Sequence, residues 1–283
     1  MLSPGEFVDS YTAIGASKAK APLYKLFLLA ILAGFLIGMG GAVTNTASHA
    51  IENVSAAKII CGLLFPFGLI MVILTGAELF TGNCLITISV LAKRTSLRGM
   101  LRNLCIVYAG NFVGAAALSA ACAYSGQMNL SGGGLAVTTI KIAAAKCSLT
   151  FGSAVVLGAL CNILVCAGAM CALCAKSVAG KAVGAFVPVS FFVFCGFEHC
   201  VANMYYIPAG LFALSVPKYA ELAEAAGLNI AALTWSGFLL HNLLPVTLGN
   251  VLGGCGFAAL IWAAHRKTPT SAGLQKVLHP TAP

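Results

Sequence analysis

The stretch Thr75–Asn83 reads TGAELFTGN, and 120 residues later Cys195–Asn203 reads CGFEHCVAN. Both contain the pattern G-x-E-x-x-x-x-N, and both interrupt long apolar runs with a carboxylate and other polar residues. Polar groups at such positions are costly in a membrane unless the protein itself supplies partners for them. The repeated motif is therefore the best guide to how the chain is organised.

The composition of the 283-residue chain is that of an integral membrane protein. It is 60% hydrophobic and 8% charged, whereas about a quarter of the residues in a soluble domain are charged. We therefore interpret the net charge of +9 as a signal for orientation in the bilayer and not for nucleic-acid binding. The sequence contains no catalytic triad and no phosphate-binding loop, so we do not expect an enzyme, and we expect no cofactor.

Six apolar segments are long enough to cross a bilayer, which takes about 20 residues. The second and fifth are too long for single helices, and these two carry the repeated polar motif. The predicted segments are residues 25–48, 58–92, 103–124, 149–175, 181–214 and 237–264. The sequence thus predicts an all-α membrane protein with six transmembrane helices, of which the second and fifth are broken.

The repeat extends beyond the two motifs. RNLCIVYAGNFVGAA from Arg102 and HNLLPVTLGNVLGGC from His241 share N-L-x-x-V-x-x-G-N-x-x-G without a gap. A weaker match pairs FLLAILAG from Phe27 with FGSAVVLG from Phe151. Since each half has three spans, the second half enters the membrane upside down, which makes the fold two inverted three-helix repeats.

Basic residues are distributed unevenly between the two sides of this topology. Twelve of the sixteen lysines and arginines fall on the side of the termini, and the other four are Lys58, Lys141, Lys146 and Lys218. The positive-inside rule then places both termini in the cytoplasm, as expected for a multi-pass protein of the inner (plasma) membrane.

The chain is predicted to have three parts: residues 1–20, 21–265 and 266–283. The first is an amphipathic cytoplasmic helix, because Ser3 and Glu6 fit a capping box and apolar residues recur at helical spacing at Phe7, Tyr11 and Ile14. A loosely ordered tail is the alternative for this part. The second is the transmembrane domain, and the third is a cytoplasmic tail.

Interrupted helices at matching positions of inverted repeats mark the binding or conduction path near the middle of the membrane. Glu78 and Glu198 are equivalent residues in the two breaks. They are either a conducting pair or caps that accept free N–H groups of the broken helices. We favour capping, because both breaks need the same partners.

Two other polar residues are candidates for function. His199 has no counterpart in the repeat, where Leu79 stands, and histidine can pass a proton near neutral pH. The alternative is a hydrogen-bonded core histidine. Lys146 precedes the fourth span on the outer side, where it either attracts anions at a pore mouth or extends its ammonium from the membrane into water.

The twelve cysteines lie mostly in apolar runs, where a free cysteine behaves as a small hydrophobic residue. Cys171 and Cys174 form a C-x-x-C, but no second ligand pair lies at a suitable spacing. The cysteines leave a third hypothesis open, in which the chain is a membrane protein for redox chemistry or metal handling.

Three segments together resemble the formate–nitrite transporter family: GAELFTGN, the lysine that precedes LGALCNILVC, and GFEHCVANMYYIP. The similarity covers about residues 1–265. It implies an aquaporin-like fold, a homopentamer with one pore per protomer, and a channel for small monovalent anions. The IP pair at Ile207 and Pro208 favours formate first, hydrosulfide second and nitrite third. A proton-coupled carrier for the same anions is the alternative.

The resemblance also implies roles for individual residues. His199 is the central histidine, Thr81 the loop threonine that binds it or the substrate, and Lys146 the outer lysine. Polar residues facing the centre are Asn162 and Asn203. Two constrictions on either side of the histidine are formed by Phe65, Leu69, Phe80, Val165 and Phe192. We expect an anion to be captured near the lysine, dehydrated at the outer constriction and given a share of the histidine proton.

Overall fold

The computed structural model describes residues 1–266, which contain helices and no strand. The thirteen α-helices of this part of the chain are α1 (Pro4–Lys20), α2 (Leu23–Ser48), α3 (Val54–Leu64), α4 (Phe67–Thr75), α5 (Phe80–Asn83), α6 (Thr87–Leu91), α7 (Leu97–Tyr124), α8 (Gly134–Cys147), α9 (Phe151–Cys174), α10 (Val178–Phe194), α11 (Cys200–Leu214), α12 (Pro217–Ala225) and α13 (Leu244–His265). Short 3-10 segments at Cys84–Ile86 and Gln127–Gly133 and a π-helical turn at Gly237–Leu243 join them.

The predicted six segments are confirmed. Five helical stretches are long and apolar enough to cross a membrane: Leu23–Ser48, Val54–Thr75, Leu97–Tyr124, Phe151–Cys174 and Gly237–His265. The other segment consists of α10 and α11, and the second segment continues past its break into α5 and α6. The chain is therefore an all-α membrane protein in which the second and fifth segments are broken.

Matching close contacts in the two halves reveal the register of the inverted repeat. A Cβ on Gly114 of α7 would lie 2.0 Å from the Ile31 carbonyl oxygen of α2, and a Cβ on Gly253 of α13 would lie 2.0 Å from that of Ala159 of α9. Ile31 and Ala159 are therefore equivalent. The predicted pairing of Phe27 with Phe151 is wrong by four residues, about one helical turn, because helix packing and not side-chain similarity fixes the register.

Both breaks begin at a glycine in the left-handed region. Gly76 follows α4 with φ +68°, and Gly196 follows α10 with φ +69°. Such angles strain residues that have a Cβ. The chain then runs extended through Leu79 and His199 before α5 and α11 begin, so the same turn interrupts both segments.

Helix α1 has the predicted capping box. The Ser3 hydroxyl accepts from the Glu6 N–H at 3.3 Å, and the Ser3 N–H donates to the Glu6 carboxylate at 2.7 Å. Phe7 and Tyr11 are buried against the bundle, whereas Ile14 is 36% exposed. The predicted apolar face is therefore partly wrong. The buried face of α1 continues from Tyr11 through Gly15 and Ala19 and not through Ile14, because Gly15 lets α1 approach Ser89 closely.

Helix α1 and helix α8 lie at opposite ends of the bundle. The end of α2 meets the region around α8, since the two ring nitrogens of His49 contact the Thr46 carbonyl and the Ser131 hydroxyl, both at 2.8 Å. We call the two ends the α1 face and the α8 face. Each half of the repeat thus begins with a surface helix, and the helices α1 and α8 carry Lys18 and Lys146 in their last turns.

Candidate functional site

Two buried asparagines, Asn111 and Asn250, hold the starts of the half-helices that follow the breaks. Asn111 accepts from the Phe80 N–H at 2.9 Å and donates to the carbonyls of Ala30 and Glu78 at 2.7 and 2.9 Å. Its repeat equivalent Asn250 makes the same three bonds, which join the Cys200 N–H at 2.9 Å and the carbonyls of Gly158 and Glu198 at 2.7 and 2.9 Å.

The predicted capping role of Glu78 and Glu198 is therefore wrong. Their carboxylates receive hydrogen bonds from side chains, and the free backbone groups of the breaks are bonded by the amides of Asn111 and Asn250. An amide both donates and accepts, so it bonds N–H and C=O groups together, whereas a carboxylate only accepts.

On the α1 face, Glu78 is part of a charge-paired cluster. The Lys18 ammonium donates to the Glu78 carboxylate at 2.8 Å and to the Asn83 carbonyl oxygen at 3.1 Å. The Asn83 amide N–H groups donate to Glu78 at 2.7 Å and to Asn103 at 2.8 Å, and Asn103 donates to the Lys18 backbone carbonyl at 2.9 Å. The lysine therefore neutralises the buried carboxylate and links α1 to the first break.

An equivalent cluster lies on the α8 face. Lys146 donates to the Glu198 carboxylate at 2.7 Å. Asn203 donates to Glu198 at 2.6 Å and to Asn242 at 2.7 Å, and Asn242 donates to the Lys146 backbone carbonyl at 2.8 Å. Lys146 is thus not an isolated interfacial cation, because a carboxylate balances its charge.

His199 lies between the two clusters and is 3% exposed. The Ala202 N–H donates to its Nδ1 at 3.0 Å, so Nδ1 is an acceptor and the proton of the neutral ring is on Nε2. Nε2 lies 2.9 Å from the Thr81 hydroxyl oxygen. The predicted neighbours His199 and Thr81 are therefore brought together, and the Thr81 O–H is left to donate elsewhere.

A small central cavity adjoins His199 and is otherwise lined by apolar side chains. Four of the five residues predicted to form constrictions are among them: Phe65, Leu69, Val165 and Phe192. The cavity volume is about 10 Å³, close to the least that one water molecule needs. Anything larger than water therefore requires these side chains to move.

A larger cavity of about 1020 Å³ opens on the α8 face. Phe65, Phe192 and His199 border both this cavity and the central one. The rings of Phe65 and Phe192 meet edge to face with centroids 5.7 Å apart. These two rings therefore separate the large cavity from the central one.

Two residues lie away from these cavities. Asn162 donates to the Asn250 backbone carbonyl at 2.7 Å and joins α9 to α13. Its predicted orientation toward the centre stays a prediction. The Phe80 ring packs edge-on against Tyr108 with centroids 4.8 Å apart, and its place in a second constriction stays a prediction.

The sequence interpretation missed Lys18 and the four asparagines of the repeat. Asn103, Asn111, Asn242 and Asn250 are the invariant asparagines of N-L-x-x-V-x-x-G-N-x-x-G, so the signal was present. In the register of the structure, equivalent residues of the first and fourth spans are 128 positions apart, as Ile31 and Ala159 are. Lys18 and Lys146 have the same spacing, so Lys18 is the repeat equivalent of Lys146.

The cysteines within residues 1–266 are all free thiols. In that range no three His, Cys, Asp or Glu side chains are grouped to hold a metal ion. The C-x-x-C has one exposed member, Cys171, and one buried member, Cys174. Nothing in this arrangement favours metal handling over the packing role of a small apolar residue.

Comparison with known proteins agrees with this geometry. A family model described as formate/nitrite transporter matches residues 5–264. The chain is 36% identical to a probable formate transporter of Methanothermobacter thermautotrophicus, with 94% of this chain and 97% of that protein covered. It is 35% identical to the formate channel FocA of Haemophilus influenzae, with 89% and 90% covered.

Two solved structures share the architecture. A pentameric formate channel with formate bound superposes with a TM-score of 0.77 at 34% identity, covering 86% of this chain and 96% of that one. A channel described as an FNT family ion channel superposes with a TM-score of 0.80 at 27% identity, covering 92% and 98%.

Proposed function

Since the chain belongs to the formate/nitrite transporter family, we propose that it is a channel for the small monovalent anions of weak acids. Formate is the first candidate substrate, because the relatives and the solved structure named above are described as formate transporters or channels. Hydrosulfide and nitrite are the next candidates. The chain is a transport protein of the membrane and not an enzyme.

The contact between His199 and Thr81 carries this proposal. At 2.9 Å the imidazole Nε2–H donates to the Thr81 hydroxyl, which leaves the hydroxyl proton for a passing anion. The pair is the polar group beside an otherwise apolar cavity, so it stabilises an anion where water is excluded. Protonation of His199 would break its bond to the Ala202 N–H, so substrate and histidine share a proton through Thr81 and not through Nδ1.

The path we propose runs from the large cavity on the α8 face, between Phe65 and Phe192, to the pair of His199 and Thr81. The substrate loses water between the two rings, which is unfavourable for a full charge. A share of the proton from the hydroxyl of Thr81 reduces that cost. Lys146, the predicted site of capture, lies at the start of this path, and Phe80 would close a second constriction beyond the histidine.

The assembly and orientation follow the same reasoning. We infer a homopentamer in the inner membrane, as in the pentameric formate channel whose fold it shares. The α1 face is taken as cytoplasmic because most basic residues lie on that side. The predicted tail at 266–283 lies outside the described residues except for Arg266.

A proton-coupled carrier is the second hypothesis, and the structure offers one observation for it. The two rings leave no open passage between the cavities, as expected of a site that opens alternately. Recording of single protein molecules in planar bilayers separates the two, because a channel gives resolvable current steps and a carrier gives only saturable, proton-linked currents.

The experiment for the proposed function is formate flux into proteoliposomes, with hydrosulfide and nitrite as competitors at two pH values. The variant is His199→Asn, because asparagine also caps a helix and so preserves the start of α11. Loss of a hydrogen bond to a charged substrate costs about 1.5–3 kcal/mol, or a roughly tenfold to hundredfold lower flux.

The matched control is His241→Asn, since His241 is exposed on the π-helical turn. It should leave flux unchanged. Thr81→Val should reduce formate flux as much as His199→Asn, and the double variant should add little, because the two residues act through one hydrogen bond. Unaltered flux and unaltered pH dependence in His199→Asn would remove the histidine from the mechanism.

A further inference from the structure

The clusters on the two faces differ in one hydrogen bond. On the α1 face the Lys18 ammonium contacts both the Glu78 carboxylate and the Asn83 carbonyl oxygen, at 2.8 and 3.1 Å. On the α8 face Lys146 contacts Glu198 at 2.7 Å, but the side-chain carbonyl oxygen of Asn203 has no hydrogen-bond partner among residues 1–266. An acceptor buried without a partner is costly and calls for an explanation.

The orientation of the Asn203 amide is fixed by its own donors. Both N–H groups are used, by the Glu198 carboxylate at 2.6 Å and by the Asn242 carbonyl oxygen at 2.7 Å. Exchanging the nitrogen and oxygen positions would put two oxygens against each other at both contacts. The free group is therefore the carbonyl oxygen, and Asn203 is one of the residues that line the large cavity.

The aromatic ring of Tyr206 lies beside the Lys146 ammonium. The ammonium lies 5.3 Å from the centroid of the Tyr206 ring, within the range of a cation–π contact. The ring is held in place by the hydrogen bond between its hydroxyl and Thr44, at 2.8 Å. The residue three positions after Asn83 is Ile86, which has no aromatic face, so Lys18 is free to contact Asn83.

We infer that Tyr206 keeps the Lys146 ammonium away from Asn203 and so reserves the Asn203 carbonyl oxygen for the O–H or S–H group of an undissociated weak acid. This inference rests on the proposed function and specifies the form of the substrate that binds first. The second oxygen of a carboxylic acid accepts from the Lys146 ammonium beside it. No bond to hydrogen is broken at this step, because the acid keeps its proton.

The charges at this site favour a neutral ligand. Glu198 neutralises Lys146 at 2.7 Å, so the cluster has no net charge to attract an anion into a buried position. An anion such as formate has acceptors only, and the Asn203 oxygen repels it. Burial disfavours a bare charge in addition, so a protonated acid is selected over its conjugate base.

Other charged groups of the cavity act at longer range. The exposed groups on its wall are Glu52, Lys58 and Lys141, with His49 half-buried beside them. Their lysines outnumber the carboxylate and concentrate anions from solution. The cavity thus collects the conjugate base, and the site at Asn203 binds the fraction that carries a proton.

The test is difference infrared spectroscopy of ¹³C-labelled formate bound to the full-length protein in lipid nanodiscs. Undissociated acid and carboxylate have separate C–O stretching bands. Wild type and Tyr206→Phe, which keeps the aromatic face, should show a saturable band of the undissociated acid. Tyr206→Leu should lose it, because Lys146 then contacts Asn203 as Lys18 contacts Asn83. Formate flux should show a roughly threefold to tenfold higher KM with unchanged kcat in Tyr206→Leu only.

Three results would overturn the inference: only carboxylate bands in wild type, a change confined to bands of bound water, or equal behaviour of Tyr206→Leu and Tyr206→Phe. The wild-type spectrum alone decides the first two, so a poorly folded variant does not prevent the test. If wild type transports formate but binds only the ionised form, the inference is wrong and the proposed function stands. Absence of flux for formate, hydrosulfide and nitrite alike removes both.

Discussion

Replacing Asn250 by leucine removes the amide that holds the start of α11, at nearly constant side-chain volume. The residue is fully buried, and its amide bonds the Cys200 N–H at 2.9 Å and the carbonyls of Gly158 and Glu198 at 2.7 and 2.9 Å. Hydrogen bonds between membrane helices contribute about 0.6 kcal/mol on average and about 1.7 kcal/mol at most. Three of them give an expected loss of about 2–5 kcal/mol in the free energy of unfolding.

The assay is denaturant titration of the purified protein in mixed lipid–detergent micelles. The matched control is Asn129→Leu, because Asn129 is exposed and its side chain accepts from the Lys218 ammonium at 2.7 Å. A surface change of this kind should stay within about 0.5 kcal/mol of wild type. The difference between the variants isolates the effect of the buried amide.

The repeat supplies a second arm for the same test. Asn111→Leu removes bonds of 2.9, 2.7 and 2.9 Å at the first break, so its cost should agree with that of Asn250→Leu to within about 1 kcal/mol. If Asn250→Leu unfolds at the denaturant concentration of wild type, the amide does not stabilise the break. The same conclusion follows if Asn129→Leu is destabilised to the same degree.

Further predictions concern the second break and the first helix. Gly196→Ala should lower the free energy of unfolding by about 1–2 kcal/mol in the same titration, since φ is +69° there. Gly82→Ala should not lower it, because Gly82 lies in a helix with open space around it. The N–H and hydroxyl of Ser3 hold the pKa of Glu6 below its ordinary value of 4.5. The ionised Glu6 carboxylate therefore stabilises the start of α1 above about pH 4.5, and this stabilisation is lost as the pH falls through the pKa of the folded state. Amide exchange protection in the first turn of α1 should therefore fall on acidification below about pH 4.5 in wild type, and Ser3→Ala should show little protection at either pH.

The architecture was predictable from the sequence because its determinants are long or repeated. These determinants are the six apolar runs, the doubled polar motif and the ungapped match between the third and sixth spans. Each of these signals extends over many residues, so a single atypical residue does not obscure it. The confirmed breaks at Gly76 and Gly196 belong to this class, since the paired motif signals a paired turn. His199 was singled out for the opposite reason, because the matching residue of the other half is Leu79.

The hydrogen-bond and charge partners within the site were less predictable, because they come from segments that are distant in sequence. Glu78 was the nearest acceptor to the first break, yet a break exposes carbonyls as well as N–H groups, and a carboxylate bonds only the N–H groups. Asn111 bonds both kinds from α7. Glu78 itself needs a positive charge, which comes from Lys18 on the surface helix, 60 residues earlier. Packing of α1 against the bundle brings that charge into reach, and no local pattern encodes it.

These partners explain why one histidine dominates the centre of a symmetric scaffold. The asparagine amides bond the free backbone groups of both breaks, and the lysines neutralise both carboxylates, so these groups, which the two halves share, already have partners. The residues that precede the two half-helices, Leu79 and His199, both border the central cavity. One is apolar and the other extends its Nε2 to Thr81. The asymmetry at this pair of positions therefore places one polar side chain at the cavity. His199→Leu, which introduces the residue of the counterpart position, should remove that side chain while leaving the paired clusters intact.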